Sequence, residues 1–312
     1  MNRSLLILVA LLAVLLVVYL LVSSGEKQEL TPQIKSDFLG VDSGTVDRVL
    51  VSRLGSEMKF ERQVDGWYIS DGDKMRRAQP DAANAVVQLA HTLSVGEVVS
   101  SNPAKQMLFQ VDTLTGSVVE FYRGDEYLAG LVVGKMTSDY QSTYVRKPES
   151  DDVYAARGVF GQLFTRPPST FMDKTLLSLV PGEINLVEYK GRGTDYSVML
   201  QDSLWKVLPA TGEAFIGDQE KIARTTSSFA NLQFSEFPTR PDSLDVNFEQ
   251  PDLEITVGLK DGTERKLRFV EEEGESKNIF VVRDDNPEPY IIFDYMVDNI
   301  APTLEELQPN TE

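Results

Sequence analysis

Apolar and polar residues alternate with a period of two through VDRVLVSRLGSEMKFERQVDGWYI, residues 46–69, and again through INLVEYKGRGTDYSVMLQDSLWKV, residues 184–207. The two stretches superpose without a gap. Val46 falls on Ile184, Gly55 on Gly193, Phe60 on Val198 and Trp67 on Trp205, an offset of 138 (205 − 67 = 138). Trp67 and Trp205 are the only two tryptophans in the chain. The same offset joins Gly124 to Gly262 (262 − 124 = 138). Solenoid repeats recur every ~20–50 residues, so a period this long indicates a duplicated domain.

In the first copy, period-two alternation predicts a three-stranded antiparallel meander. Its strands are Val46 to Arg53, the Met58 and Phe60 run, and the Trp67 and Ile69 run, turned at Leu54-Gly55-Ser56 and Asp65-Gly66. PDAANAVVQLAHTL, from Pro80 to Leu93, opens on a proline and places Ala82, Val86, Leu89 and Leu93 on one helical stripe. A hairpin follows, Val118 to Tyr122 and Tyr127 to Val133 about Arg123-Gly124-Asp125, then short strands at Tyr144–Arg146 and Val153–Ala155. Between the copies, Val159 to Phe164 and Phe171 to Leu179 (FMDKTLLSL) are expected to be helical, and Pro181-Gly182 turns the chain onward.

The second copy repeats the order. Strands are expected at Ile184–Lys190, Tyr196–Leu200 and Trp205–Val207. Asp218 caps a helix over Gln219 to Leu232, with Glu220 in its first turn. A hairpin over Asp261-Gly262 and strands at Ile279–Val282 and Tyr290–Phe293 precede a last helical turn at Thr303–Leu307. Each copy therefore reads β-β-β-α-β-β-β-β, an α+β class of antiparallel sheet plus helix. The expected domains are a transmembrane anchor over 1–24, a tether over 25–44, a first repeat over 45–165, a linker helix over 166–182, a second repeat over 183–308 and a tail over 309–312.

The one stretch outside this pattern is LLILVALLAVLLVVYLLV, Leu5 to Val22, eighteen residues with no charge. As a helix it spans ~27 Å, near the ~30 Å of a bilayer's hydrocarbon core. A cleaved signal peptide has a shorter apolar region of ~7–15 residues, although Val22-Ser23-Ser24 offers small residues to a peptidase. The length favours a retained signal anchor. Arg3 and the terminal amine on the short side, against Glu26, Lys27 and Glu29 on the long side, give a small positive-inside bias that points to an N-terminus in the cytoplasm and the rest of the chain outside it.

Charge narrows the partners. The chain carries a net −18, and after Ser24 it holds 29 bases against 48 acids (29 − 48 = −19). Such a surface repels phosphate backbones and anionic headgroups, which excludes nucleic acid as an expected partner. With no cysteine there is no disulfide, thiolate nucleophile or Cys-based zinc site. His91 is the only histidine, on the predicted helix one step off its stripe, so it reads as structural. The dense acids, Asp151-Asp152, Asp284-Asp285 and Glu271-Glu272-Glu273, fall at predicted turns or strand ends and read as solvated charge. Asp284-Asp285-Asn286 and Asp71-Gly72-Asp73 lack the twelve-residue calcium loop. No Walker A or GxGxxG sequence is present, and Gly191-Arg192-Gly193 lies inside a hairpin. No catalytic residue, metal site or cofactor is expected.

The order of the short motifs resembles the bacterial domain-of-unknown-function family 4340 (DUF4340). The motifs are Gly66-Trp67-Tyr68-Ile69, Val133-Gly134-Lys135, Tyr144-Val145-Arg146, Val153-Tyr154 and Phe171 to Leu179, over roughly residues 45–300. The second copy departs from the pattern, losing the glycine near Glu271. The resemblance implies a protein anchored by one N-terminal helix in the bacterial cytoplasmic membrane, and an accessory role beside the subunits of an ABC transporter like that of gliding motility. It brings no catalytic or ligand residues. Two expectations follow. One is a non-enzymatic accessory or scaffold ectodomain of such a complex. The alternative is an extracytoplasmic binding module for an envelope polymer or small ligand in the groove between the repeats. Tyr140, Tyr144 and Tyr154 are the candidate contacts there, and the pair Arg76-Arg77 is a candidate contact for an acidic partner. A carboxylate-based hydrolase requires two facing acids in a deep cleft.

Overall fold

The structure is a computed structural model that describes residues 15–16, 34–193, 195–238, 246–272 and 278–309. Of the apolar stretch it describes only Leu15 and Leu16, both helical, so the anchor lies outside the described residues. Among the described residues no helix is long and apolar enough to cross a membrane. The fold is mostly antiparallel sheet with a few helices, the α+β class expected. It divides into two compact units at the Phe171–Met172 bond, inside the predicted linker.

The first unit contains β1 (Arg48–Arg53), β2 (Ser56–Gln63), β3 (Gly66–Asp71), β4 (Lys74–Arg77), α1 (Pro80–Thr92), β5 (Val95–Ser100), the four-residue α2 (Gln106–Phe109), β6 (Ser117–Arg123), β7 (Glu126–Met136), β8 (Ser142–Arg146) and β9 (Val153–Arg157). They form one nine-stranded sheet in the order β4-β3-β2-β1-β6-β7-β8-β9-β5. Alternation decides its faces. Val49, Val51, Phe60, Ile69, Val119, Phe121, Leu131, Val133 and Val145 are buried, and Val49 sits opposite both Phe60 and Phe121. Burying one such side chain stabilises by about 1.5–3 kcal/mol. Helix α1 buries Ala83, Val86, Val87 and Ala90. Its packed face is thus turned one position from the predicted stripe, with Ala82 and Leu89 half-buried. On the sheet's other face Val111, Val132 and Val153 make a small cluster with Phe109, Val118 and Tyr144.

The second unit contains β10 (Thr175–Leu177), β11 (Ile184–Gly191), β12 (Tyr196–Gln201), β13 (Leu204–Pro209), β14 (Phe215–Ile216), α3 (Gln219–Ser228), β15 (Leu232–Gln233), β16 (Leu253–Leu259), β17 (Glu264–Glu271), β18 (Ile279–Arg283), β19 (Asn286–Ile292) and α4 (Asp294–Ile300). Its main sheet runs β14-β13-β12-β11-β16-β17-β18-β19. Asp218 caps α3 through the Lys221 amide at 2.9 Å, as expected.

The pairing registers of the two sheets correspond. Val49 pairs with Phe60 and Val187 with Val198, each shifted by 138 (187 − 49 = 138; 198 − 60 = 138). From β6 onward the shift is 136. Val133 pairs with Val145 and Phe269 with Val281 (269 − 133 = 136; 281 − 145 = 136). Val145 pairs with Tyr154 and Val281 with Tyr290 (290 − 154 = 136). The stretch joining the two halves of the sheet is thus two residues shorter in the second unit. The 138-residue match of Gly124 with Gly262 therefore falls in hairpin loops of unequal length, not in equivalent strand positions.

Four expectations need correction. Phe171 to Leu179 is not a helix: Thr175–Leu177 is strand β10, paired with β15, and its Leu176 and Leu177 are buried. Tertiary pairing overrides the local helical pattern there. The α3 helix ends at Ser228, and a 3-10 turn, Phe229–Asn231, leads into β15. Strands β4, β5 and β14 and helix α4 add to the predicted elements. Finally, the predicted tether is partly fold. Lys35 and Val95 exchange backbone bonds at 2.9 and 3.0 Å, and Leu39 and Val41 are buried.

Candidate functional site

The predicted aromatic contacts do not converge. Val145 opposes Tyr154 and Tyr144 opposes Ala155 across β8 and β9. Neighbouring residues of a strand face opposite ways, so Tyr144 and Tyr154 lie on opposite faces of the sheet. Tyr144 packs on Phe109 with ring centroids 4.8 Å apart. Tyr154 is buried against Phe38 at 4.9 Å, with the Lys35 ammonium 5.6 Å from its centroid. Tyr140 stands exposed in the loop between β7 and β8, with its φ at +57°. Arg76 and Arg77 also point to opposite faces of β4. Arg77 donates to the Asp65 backbone oxygen at 2.9 Å. His91 is exposed, its Nδ1 3.8 Å from the Asp37 carboxylate.

The acids are engaged singly. Asp151 accepts from Gln106 at 2.9 Å, Asp152 from Ser101 at 2.6 Å, and Asp285 pairs with Arg283 at 2.8 Å. Glu273 lies outside the described residues. Among the described residues no group of three acids or histidines is spaced to hold a metal ion. Burial pushes the Asp112 carboxyl up, but bonds from Thr115 and the Leu114 amide outweigh it and hold the group below the usual carboxylate range.

Three arginines differ in what they meet. Arg146, 5% exposed, donates to the carbonyls of Val111, Lys147, Pro148 and Ser150 at 2.9–3.1 Å. Arg192 pairs with Glu271 at 2.7 Å and Asp294 at 2.9 Å. Arg53, at the end of β1, has a buried Nε with no hydrogen-bond partner among the described residues, the only buried side-chain N or O of which that is true. Leaving a buried donor unpaired costs about 1–3 kcal/mol.

Arg53 lines a pocket of about 190 Å³ at this end of the sheet. Gln110, Thr115, Ser117, Lys135 and Gln162 also line it, and no acid does. Three separate segments meet there because glycine lets them. A Cβ on Gly134 would collide with the Phe109 carbonyl and the Val111 side chain, and one on Gly161 would lie 2.8 Å from the Gly134 carbonyl. No sequence pattern announces a site assembled from residues so far apart. The one available signal was the loss of a glycine near Glu271 in the second copy.

The family described as a domain of unknown function (DUF4340) matches residues 77–251, more than half of the chain. The chain belongs to this family. The DUF4340 match begins at the end of β4 and stops before β16, so it crosses the boundary between the two units and coincides with neither. No curated protein and no solved structure matches the chain.

Proposed function

We propose that this DUF4340 protein is a membrane-tethered, extracytoplasmic accessory subunit of an ABC-type transport or gliding-motility-like complex of the bacterial envelope, built from two tandem copies of one α+β module and performing no catalysis itself. The matched registers support the duplication. The observation that carries the accessory reading is the backbone exchange of Lys35 with Val95. Thirteen residue-to-residue steps lead from Val22 to Lys35 (35 − 22 = 13). They reach at most ~45 Å when fully extended. With Leu5 to Val22 in the bilayer, the first unit is held close enough to meet a membrane-embedded partner and cannot range far from it. Affinity capture from native membranes in mild detergent tests the proposal. Transporter subunits co-purify on this account; repeated recovery of the chain alone contradicts it.

A second reading, an extracytoplasmic binding module for an envelope polymer or a small ligand, draws support from the Arg53 pocket. That pocket is formed within the first unit, by residues other than the three tyrosines.

A further inference from the structure

The second unit offers an internal comparison for the Arg53 pocket. Val133 and Phe269 are equivalent by pairing (269 − 133 = 136), but the registers part beyond them: Thr143 faces Met136, whereas its counterpart Ile279 faces Glu271, so the first unit has a bulge at Gly134 and Lys135 that the second lacks. Arg192 follows Gly191, the counterpart of Arg53 (191 − 53 = 138). The second unit thus closes this end of its sheet with an arginine bonded to carboxylates: Glu271 at 2.7 Å, Asp294 at 2.9 Å and Asp298 at 4.0 Å. The first unit places Lys135 in the bulge at this end of its sheet, and no acid beside it. Two cations then line one pocket, and neither Arg53 nor Lys135 has an ion-pair partner among the described residues. Gly134 adds to the difference, because its missing side chain admits the Phe109–Val111 segment and brings Gln110 to the wall. The second unit has no bulge there: Phe269, Val270 and Glu271 pair in unbroken register with Val281, Phe280 and Ile279.

We propose that this pocket binds a small oxyanion, a carboxylate or phosphate group on a small molecule, between the Arg53 guanidinium and the Lys135 ammonium. A guanidinium presents a planar fork of donors that suits either group. The amide of Gln110 and the hydroxyl of Ser117 offer neutral donors on the same wall. The rest of the protein selects the ligand's charge. A net −18 repels polyanions at long range, whereas a single oxyanion within a Debye length of ~10 Å meets the two local cations. The pocket's 190 Å³ suits such a group with a few attached atoms and does not suit a polymer. The inference concerns the chain alone, so the presence or absence of co-purifying subunits leaves it untouched.

The test is the melting temperature of the purified full chain in detergent micelles, titrated separately with sodium phosphate and sodium succinate at constant ionic strength balanced by sodium chloride. A ligand held only by the native state raises the melting temperature. The wild type is expected to gain roughly a few degrees, saturably, with one of the two anions, and the larger gain names the group. Lys135→Glu places inside the pocket a carboxylate of the kind that neutralises Arg192 in the second unit. It should melt at or above the wild type in chloride and lose the response to both anions. Arg53→Met should lose the response as well. Should Arg53→Met fail to fold, Lys135→Glu decides. A wild-type response no larger than that to chloride, or an undiminished response in Lys135→Glu, overturns the proposal.

Discussion

Arg192 and Glu271 lie 2.7 Å apart and join the loop after β11 to the last residue of β17. Asp294, on the first turn of α4, meets the same guanidinium at 2.9 Å. The arginine is 27% exposed and its two partners 48% and 63%, so the network is screened but not dissolved in water. Glu271→Gln is expected to destabilise the second unit by about 0.5–1 kcal/mol. In thermal melts that is a fall of roughly 2–4 °C per kcal/mol, and it should shrink in about 1 M salt. A fall that persists at high salt would assign the effect to packing instead.

Gly134 is required by contact, not by backbone angle. Gly134→Val drives a side chain into the Phe109 carbonyl and Val111. Overpacking of this kind costs about 1–3 kcal/mol. Urea melts should show that loss, and hydrogen exchange should locate it at residues 106–116.

Tyr189 and Tyr196 pack with their rings tilted by 31° and centroids 4.7 Å apart, and the Tyr196 hydroxyl donates to the Pro302 carbonyl. Burial pushes both phenols above their ordinary pKa. A raised folded pKa favours the neutral form. The stabilisation is therefore complete below the unfolded value of about 10 and is lost as pH rises beyond it. Melting temperature should fall above about pH 10, with phenolate absorbance appearing together with unfolding. Tyr196→Phe removes one hydrogen bond, worth about 1 kcal/mol, and should blunt that alkaline fall.

Acid acts with the opposite sign. Thr137 holds the Asp139 carboxyl down, the Thr263 amide holds Asp261 down, and the Thr303 amide followed by Lys221 holds Glu306 down. A depressed folded pKa contributes stability above the unfolded value of about 4, lost as pH falls through the folded one. Melting temperature should drop between about pH 5 and pH 2. Asp112→Asn, which removes a fourth depressed carboxyl, should make the drop shallower. An unchanged pH profile in that variant would show that Asp112 does not contribute.

Much of the fold was legible because burial writes a period of two. Val49, Phe60 and Ile69 face the core on successive strands, and Val187, Val198 and Val207 repeat them. What stayed hidden has physical reasons. The edge strand β4 is Lys-Met-Arg-Arg, with no buried residue to mark it, and β14 is two residues long. Strand β10 reads as a helix until β15 is beside it. The gap between the 138 and 136 registers lies in the stretch joining the sheet halves, and glycines in unequal hairpins concealed it. The predicted tyrosines failed to meet because strand neighbours face apart. Arg53 reads in the sequence as an ordinary charge at a strand end, and only the structure shows its buried Nε beside Lys135 in one pocket.

The claim that most needs testing is that both folded units stand outside the cytoplasm on a membrane tether. The chain has no cysteine, so a single introduced one reports its own position. Val64→Cys places a thiol at a fully exposed turn of the first unit, and Glu220→Cys places one on the exposed face of α3 in the second. Intact cells with a permeabilised outer envelope are treated with a membrane-impermeant maleimide, and the membranes are then extracted with alkaline carbonate. The account predicts that both thiols label before lysis and that the protein stays in the membrane pellet. Labelling only after lysis would place the units in the cytoplasm, and release by carbonate would show that Leu5 to Val22 does not hold the chain in the bilayer.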